Sequence, residues 1–146
     1  MSFLGLLTGC GEQQPNHNQQ AKLKHYAQCY AAYSDDDTIH LQISTLHPAV
    51  TGRIVFKDAH RQSGPISGTM HGDTLLADWR LEYNGKPGSV STPVAFLRHG
   101  NSFLQGFGDI KEQGGRFIFK NQATLLFDPA RILQPVSCQP EISFQQ

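Results

Sequence analysis

Apolar residues recur at every second position through most of this chain, and that period restricts the fold more than any other feature. In TIHLQIS, Ile39, Leu41 and Ile43 share one face while His40 and Gln42 share the other. In DTLLADWRLEY, Leu75, Ala77, Trp79, Leu81 and Tyr83 alternate with Thr74, Leu76, Asp78, Arg80 and Glu82. RFIFK and TLLF continue the pattern through Phe117, Phe119, Leu125 and Phe127. A period of two places one row of side chains on a core and the other in water, which is the signature of a half-buried strand. Turn residues separate the runs. Asn84-Gly85 is the strongest hairpin signal, because both central residues of a type I′ turn need positive φ. His71-Gly72-Asp73, His99-Gly100-Asn101 and Gly114-Gly115 mark further turns, and Ser34 to Asp37 and Asp58 to Gly64 are polar breaks. Two segments also fit a helix: Gln20 to Tyr33, where Tyr26, Tyr30 and Tyr33 could share a face, and Asp128 to Leu133. The first suits an opening strand equally.

Strands spaced about 8–12 residues apart predict an antiparallel meander. About eight of them, within one domain spanning residues 24–146, would curl into a closed up-and-down β-barrel, with a sandwich as the alternative. Closure brings the terminal strands together. It would therefore place Cys29, on the first strand, beside Cys138, after the last, and a disulfide between them would close a loop of about 100 residues. Two separate buried thiols are the other reading. Basic and acidic residues balance at 12 each, so no charge field invites nucleic acid. No stretch approaches the roughly 20 apolar residues of a membrane-spanning helix.

The third cysteine ends the opening apolar run. Leu7-Thr8-Gly9-Cys10 resembles the bacterial lipobox, in which small residues precede a cysteine whose thiol takes a diacylglyceryl group. The resemblance implies that residues 1–9 are the remnant of a lipoprotein signal peptide and that Cys10 becomes the acylated N-terminus. Two or more acyl chains hold a protein stably at a membrane, at about 0.8 kcal/mol per buried methylene. Residues 10–23 are then the lipidated cysteine and a flexible tether, since GEQQPNHNQQ is polar and has no period. Gly11 after the cysteine points to the outer membrane by analogy with lipoprotein sorting in enteric bacteria. The export route also supplies the oxidising compartment that a disulfide needs. The competing reading of Cys10 is a buried cysteine at the end of a first strand.

CYAAYSDDDTIHLQI, VTGRIVF, ISGTMHGDTLLADWRLEY, VAFLRHGNSFLQGFGD and the closing VSC together resemble a family of small bacterial lipoproteins with a lipobox and a small β-barrel domain. The resemblance covers most of the chain after the tether and implies a secreted, lipid-anchored β domain. It carries no catalytic residues across. The architecture it suggests is lipocalin-like or avidin-like, and fold alone does not give function.

Residues able to do chemistry are present but do not form motifs. His40, His47, His60, His71 and His99 fall near strand ends or on polar faces, without the spacing of metal ligands. No G-x-S-x-G elbow occurs among the serines. Asp78 and Glu82 share a strand face as a glycosidase pair would, but Arg80 between them makes a charged solvent ladder the simpler reading. The expectation is a non-enzyme without cofactor or metal. Phe56, Trp79, Phe96, Phe103, Phe107, Phe117 and Phe119 would give a large aromatic interior, either packed or open to one small apolar ligand. Gly68, Ala77, Gly106 and Gly108 would leave a mouth or permit strand bending. With a packed interior, binding falls to the loops and outer face, and Arg53, Trp79, Arg80 and Arg98 are the candidate contact residues. The function expected is non-catalytic binding of a protein or peptide partner. Carriage of a small apolar ligand and a structural role in the envelope are the alternatives.

Overall fold

In the computed structural model, which describes Gly5 and residues 27–138, the alternating runs become ten strands. They are β1 (Gln28–Tyr33), β2 (Thr38–Thr45), β3 (Val50–Lys57), β4 (Arg61–His71), β5 (Thr74–Tyr83), β6 (Lys86–His99), β7 (Ser102–Phe107), β8 (Ile110–Gln113), β9 (Arg116–Phe119) and β10 (Leu126–Val136). Eight of them form a closed antiparallel barrel in the order β1-β10-β7-β6-β5-β4-β3-β2. Each strand pairs with its chain neighbour, apart from the excursion between β7 and β10, where β8 and β9 form a separate hairpin. Cys10 and the tether fall outside the described residues, as does the 20–26 part of the first helix candidate. The rest of that candidate is β1. Asp128 to Leu133 is also strand, within β10. Its pairing with β7 is irregular between Phe127 and Ile132, and that irregularity breaks the period of two that would have marked it as a strand.

Turn chemistry sets the registers. Asn84 and Gly85 both have positive φ, 55° and 75°, and the pair Tyr83–Lys86 flanks them as a two-residue hairpin requires. Gly114-Gly115 makes the same kind of turn, between Gln113 and Arg116.

The meander gives the barrel two different ends. The described chain enters and leaves at one, where the turns at 46–49, 72–73 and 100–101 also lie. Cys29 and Cys138 are bonded there, with sulfurs 2.07 Å apart and Cα atoms 5.2 Å apart. The far end carries the turns at 34–37, 58–60 and 84–85, together with the β7–β10 excursion. There Arg131 of β10 bonds Asp37 at 2.6 Å across the seam, and this hydrogen bond holds the Asp37 carboxyl below its ordinary range.

The interior is filled by protein. Leu41, Val50, Ile54, Leu75, Phe96, Phe103 and Leu133 are fully buried. Tyr30 meets Phe103 edge to face at 4.9 Å, and Phe96 meets the same ring at 6.5 Å. The core is therefore mainly aliphatic, which corrects the expected aromatic interior. Of the seven rings, only those of Phe96 and Phe103 are fully buried, while Phe56 and Trp79 are half-buried against the core. Phe107 is exposed at the far end, and Phe117 and Phe119 belong to the hairpin outside the barrel sheet. The small residues allow close approach and do not open a mouth. A Cβ at Gly68 would lie 2.0 Å from the Leu76 carbonyl oxygen, and one at Gly106 would lie 2.7 Å from the Phe127 ring.

Candidate functional site

Alternation and register assign each candidate residue to the inside or the outside of the wall. Ile54 pairs with Leu41, both buried, so Arg53, Val55 and Lys57 of β3 face outward. By the same rule His40 and Gln42 of β2, Arg61 of β4, and Asp78 and Arg80 of β5 are outside, and Trp79 is inside.

The four candidate contact residues are not brought together. Arg53 is half-buried on the outer wall and bonds Glu82 at 2.6 Å. The two strands β3 and β5 are separated by β4, whose nearest outward residues, Ser63 and Pro65, are small enough for the long side chains to cross. Trp79 turns its ring into the half-buried part of the interior. Its Nε1 is buried with no hydrogen-bond partner among the described residues, as is Oε1 of Gln105. Arg80 is exposed on the outer wall. Arg98 lies at the disulfide end, its guanidinium 5.6 Å from the centre of the Phe103 ring.

The expected charge ladder on β5 is also corrected. Asp78 pairs with Arg116 of the β8–β9 hairpin and Glu82 with Arg53, while Arg80 joins neither carboxylate. Each acid therefore takes its cation from another element of the fold. The Asp78–Arg116 pair also ties the hairpin to the outside of the barrel, where β9 packs on β6.

Two depressions are shaped by described residues, and both adjoin the β1–β10 seam. One, of about 660 Å³, lies at the disulfide end over Tyr30 and Phe103, beneath Arg98 and the turn at Gly100 and Asn101. The other, of about 500 Å³, runs along the outer wall and is lined by Tyr33, His40, Gln42, Arg53, Val55, Lys57 and Arg61. No group of three or more potential metal ligands occurs among the described residues.

The distribution of exposed apolar side chains is more telling than either depression. Tyr33, Tyr83, Val90, Phe107, Ile110 and Leu126 are the large apolar residues in the open, from 42% exposed at Ile110 to 75% at Leu126. All six belong to the far half of the barrel. Tyr33 ends β1, Tyr83 ends β5, Phe107 ends β7, Ile110 opens the hairpin, Leu126 opens β10 and Val90 lies in the first half of β6. Phe107 and Leu126 face each other in register. Sequence reasoning missed this set because each residue looks like an ordinary strand position, and only the topology gathers them. Compared with protein-family models, with curated proteins and with solved structures, the chain finds no match in any of the three.

Proposed function

We propose that this protein is a non-catalytic binding module of the bacterial envelope, anchored by acylated Cys10 and engaging a protein partner with the far end of its barrel. The observation that carries the reading is the gathering of exposed Tyr33, Tyr83, Val90, Phe107, Ile110 and Leu126 at the end opposite the disulfide, where the described chain enters and leaves the barrel. Exposed apolar side chains gathered at one end of a fold mark a candidate interaction surface, and tyrosine is favoured at interfaces because one side chain offers both apolar area and a hydroxyl. The polarity of the barrel suits an anchor. Both ends of the described chain leave beside the disulfide, so a tether from the membrane meets one end and leaves the other free to face a partner. With residues 10–23 as a flexible tether, the root-mean-square span is about 20 Å. Seven fully buried side chains occupy the interior, which weighs against carriage of an apolar ligand inside the barrel.

The test is recovery of a partner after cross-linking in native envelopes. The Tyr83→Ser/Leu126→Ser double variant removes two of the most exposed side chains, so its stability should stay within about 0.5 kcal/mol of the parent at each site. Partner recovery should fall by about tenfold or more if these residues are anchors of the contact. Unchanged recovery with both serines in place would refute the far-end surface.

A further inference from the structure

Each of the eight barrel strands has a neighbour on both sides, and the strands of the β8–β9 hairpin do not. β9 lies against β6 and is half-buried over residues 117–119, whereas all four residues of β8 are exposed. The edge of β8 turned away from β9 pairs with no strand among the described residues. An open edge of this kind presents backbone N–H and C=O groups as a template for another strand.

Register identifies those groups. Gln113 and Arg116 close the two-residue Gly114-Gly115 turn, and the pair flanking such a turn exchanges hydrogen bonds. Bonded pairs alternate from there, at Lys111–Ile118 and then at Asp109–Lys120, where the Lys120 N–H donates to the Asp109 carbonyl at 2.8 Å. Ile110 and Glu112 therefore turn their backbone N–H and C=O groups outward.

The side chains beside this edge complement a second copy of themselves in one register. An antiparallel pairing centred on Lys111 sets two ammonium groups opposite each other, and one centred on Glu112 does the same with two carboxylates. Like charges directly opposite one another destabilise a sheet. Centring on Ile110 instead sets Lys111 of each copy opposite Asp109 of the other, and two-fold symmetry makes the contact twice. These are non-hydrogen-bonded positions, where facing side chains lie closest. Asp109 and Lys111 are exposed, and neither joins an ion pair among the described residues. The same register sets Ile110, 42% exposed, against its own copy. Phe119 faces Ile110 within the hairpin, so an apolar row Phe119–Ile110–Ile110–Phe119 would cross four strands.

We propose that β8 pairs antiparallel with β8 of a second copy of this chain, centred on Ile110, to form a four-stranded sheet in the order β9-β8-β8-β9 outside the two barrels. The pairing stands whether or not the far end engages another protein. A four-residue edge buries less than the roughly 1,200–2,000 Å² of a standard interface, so the dimer belongs to the weak, readily dissociating class.

The experiment is sedimentation equilibrium of the full chain from about 10 μM to about 1 mM, with Cys10→Ser present to exclude a disulfide through that thiol. The average mass should rise from that of one chain toward that of two. Over the same range the Ile110 and Glu112 amides should gain protection from hydrogen exchange, while Lys111, already bonded within the hairpin, changes little. Lys111→Glu should weaken association about tenfold or more, and adding Asp109→Lys should restore it, because opposite charges then face each other again. Ile110→Pro removes the central outward N–H without taking a bond from the hairpin, and should abolish association. Three results would overturn the proposal: the mass of one chain over the whole range, association that Lys111→Glu leaves unchanged, or failure of Asp109→Lys to restore it. A chain that stays single while Ile110→Pro abolishes far-end cross-linking would also overturn it, and would give the edge to the partner protein.

Discussion

Removing the Cys29–Cys138 bond by replacing both cysteines with alanine is expected to lower the stability of the barrel by about 2–5 kcal/mol. The two residues are 109 positions apart, so the bond closes almost the whole described chain into one loop. In the chain-entropy treatment a loop of that length contributes about 4.7 kcal/mol, and measured gains are often smaller. Its position adds to its importance. The barrel closes where β1 meets β10, and that seam has only three pairs in register: Cys29–Val136, Tyr30–Pro135 and Ala31–Gln134. Proline has no N–H to donate, so Pro135 brings only its carbonyl to the sheet. A short seam of this kind relies on the disulfide to stay closed. Urea unfolding of the two proteins measures the loss, and hydrogen exchange should show the amides of β1 exchanging faster in the alanine variant than those of β4 and β5. Equal midpoints and equal exchange along β1 would show that the seam holds without the bond.

Phe103→Ala is expected to cost about 3–5 kcal/mol, the range for removing a fully buried ring from a packed core. The ring is 1% exposed and meets aromatic side chains from strands on either side of β7 in the sheet. Tyr30 reaches it from β1 and Phe96 from β6, with Arg98 beyond. Its loss would leave a cavity facing the same seam that the disulfide closes. The two changes are therefore expected to be non-additive when combined, by about 0.5 kcal/mol or more. Phe107, four residues later on the same strand, is the control. It is far more exposed, and Phe107→Ala should cost much less than Phe103→Ala in the same urea titration. Similar costs at the two positions would mean that the interior extends to the far end.

The contrast between these two phenylalanines also shows what the sequence could reveal. Alternation identifies both as strand residues, but it does not say how far along the barrel the core continues. Leu41, Leu75 and Ala77 could be assigned to the core from their period alone, and Asn84-Gly85 announced its hairpin because few other dipeptides tolerate two positive φ values. Cys29 and Cys138 could be paired because closure of a meander has only one way to arrange the first and last strands. The run at Arg116–Phe119 alternates as a barrel strand would, yet it pairs only with β8 outside the barrel. Period fixes the faces of a strand but not its partner. Within β10, the irregular pairing between Phe127 and Ile132 disturbed the period enough to suggest a helix.

The candidate surfaces were less legible for a related reason. Arg53 and Glu82 are 29 positions apart, and Arg131 and Asp37 are 94 apart, so their pairing follows from topology and not from spacing. Trp79 and Arg98 were attractive as contact residues by type, but register turns Trp79 inward and places Arg98 at the disulfide end. The exposed residues at the far end come from five barrel strands and the hairpin, and no local motif links them.

Site-specific photo-cross-linking in native envelopes tests the central claim most directly. A photoreactive residue at Leu126, 75% exposed at the far end, is compared with one at His99, exposed near the disulfide end. The account predicts a discrete cross-linked protein from Leu126 that is absent from His99 and is lost when Tyr83→Ser is added. The same product from both positions, or from His99 alone, would contradict it.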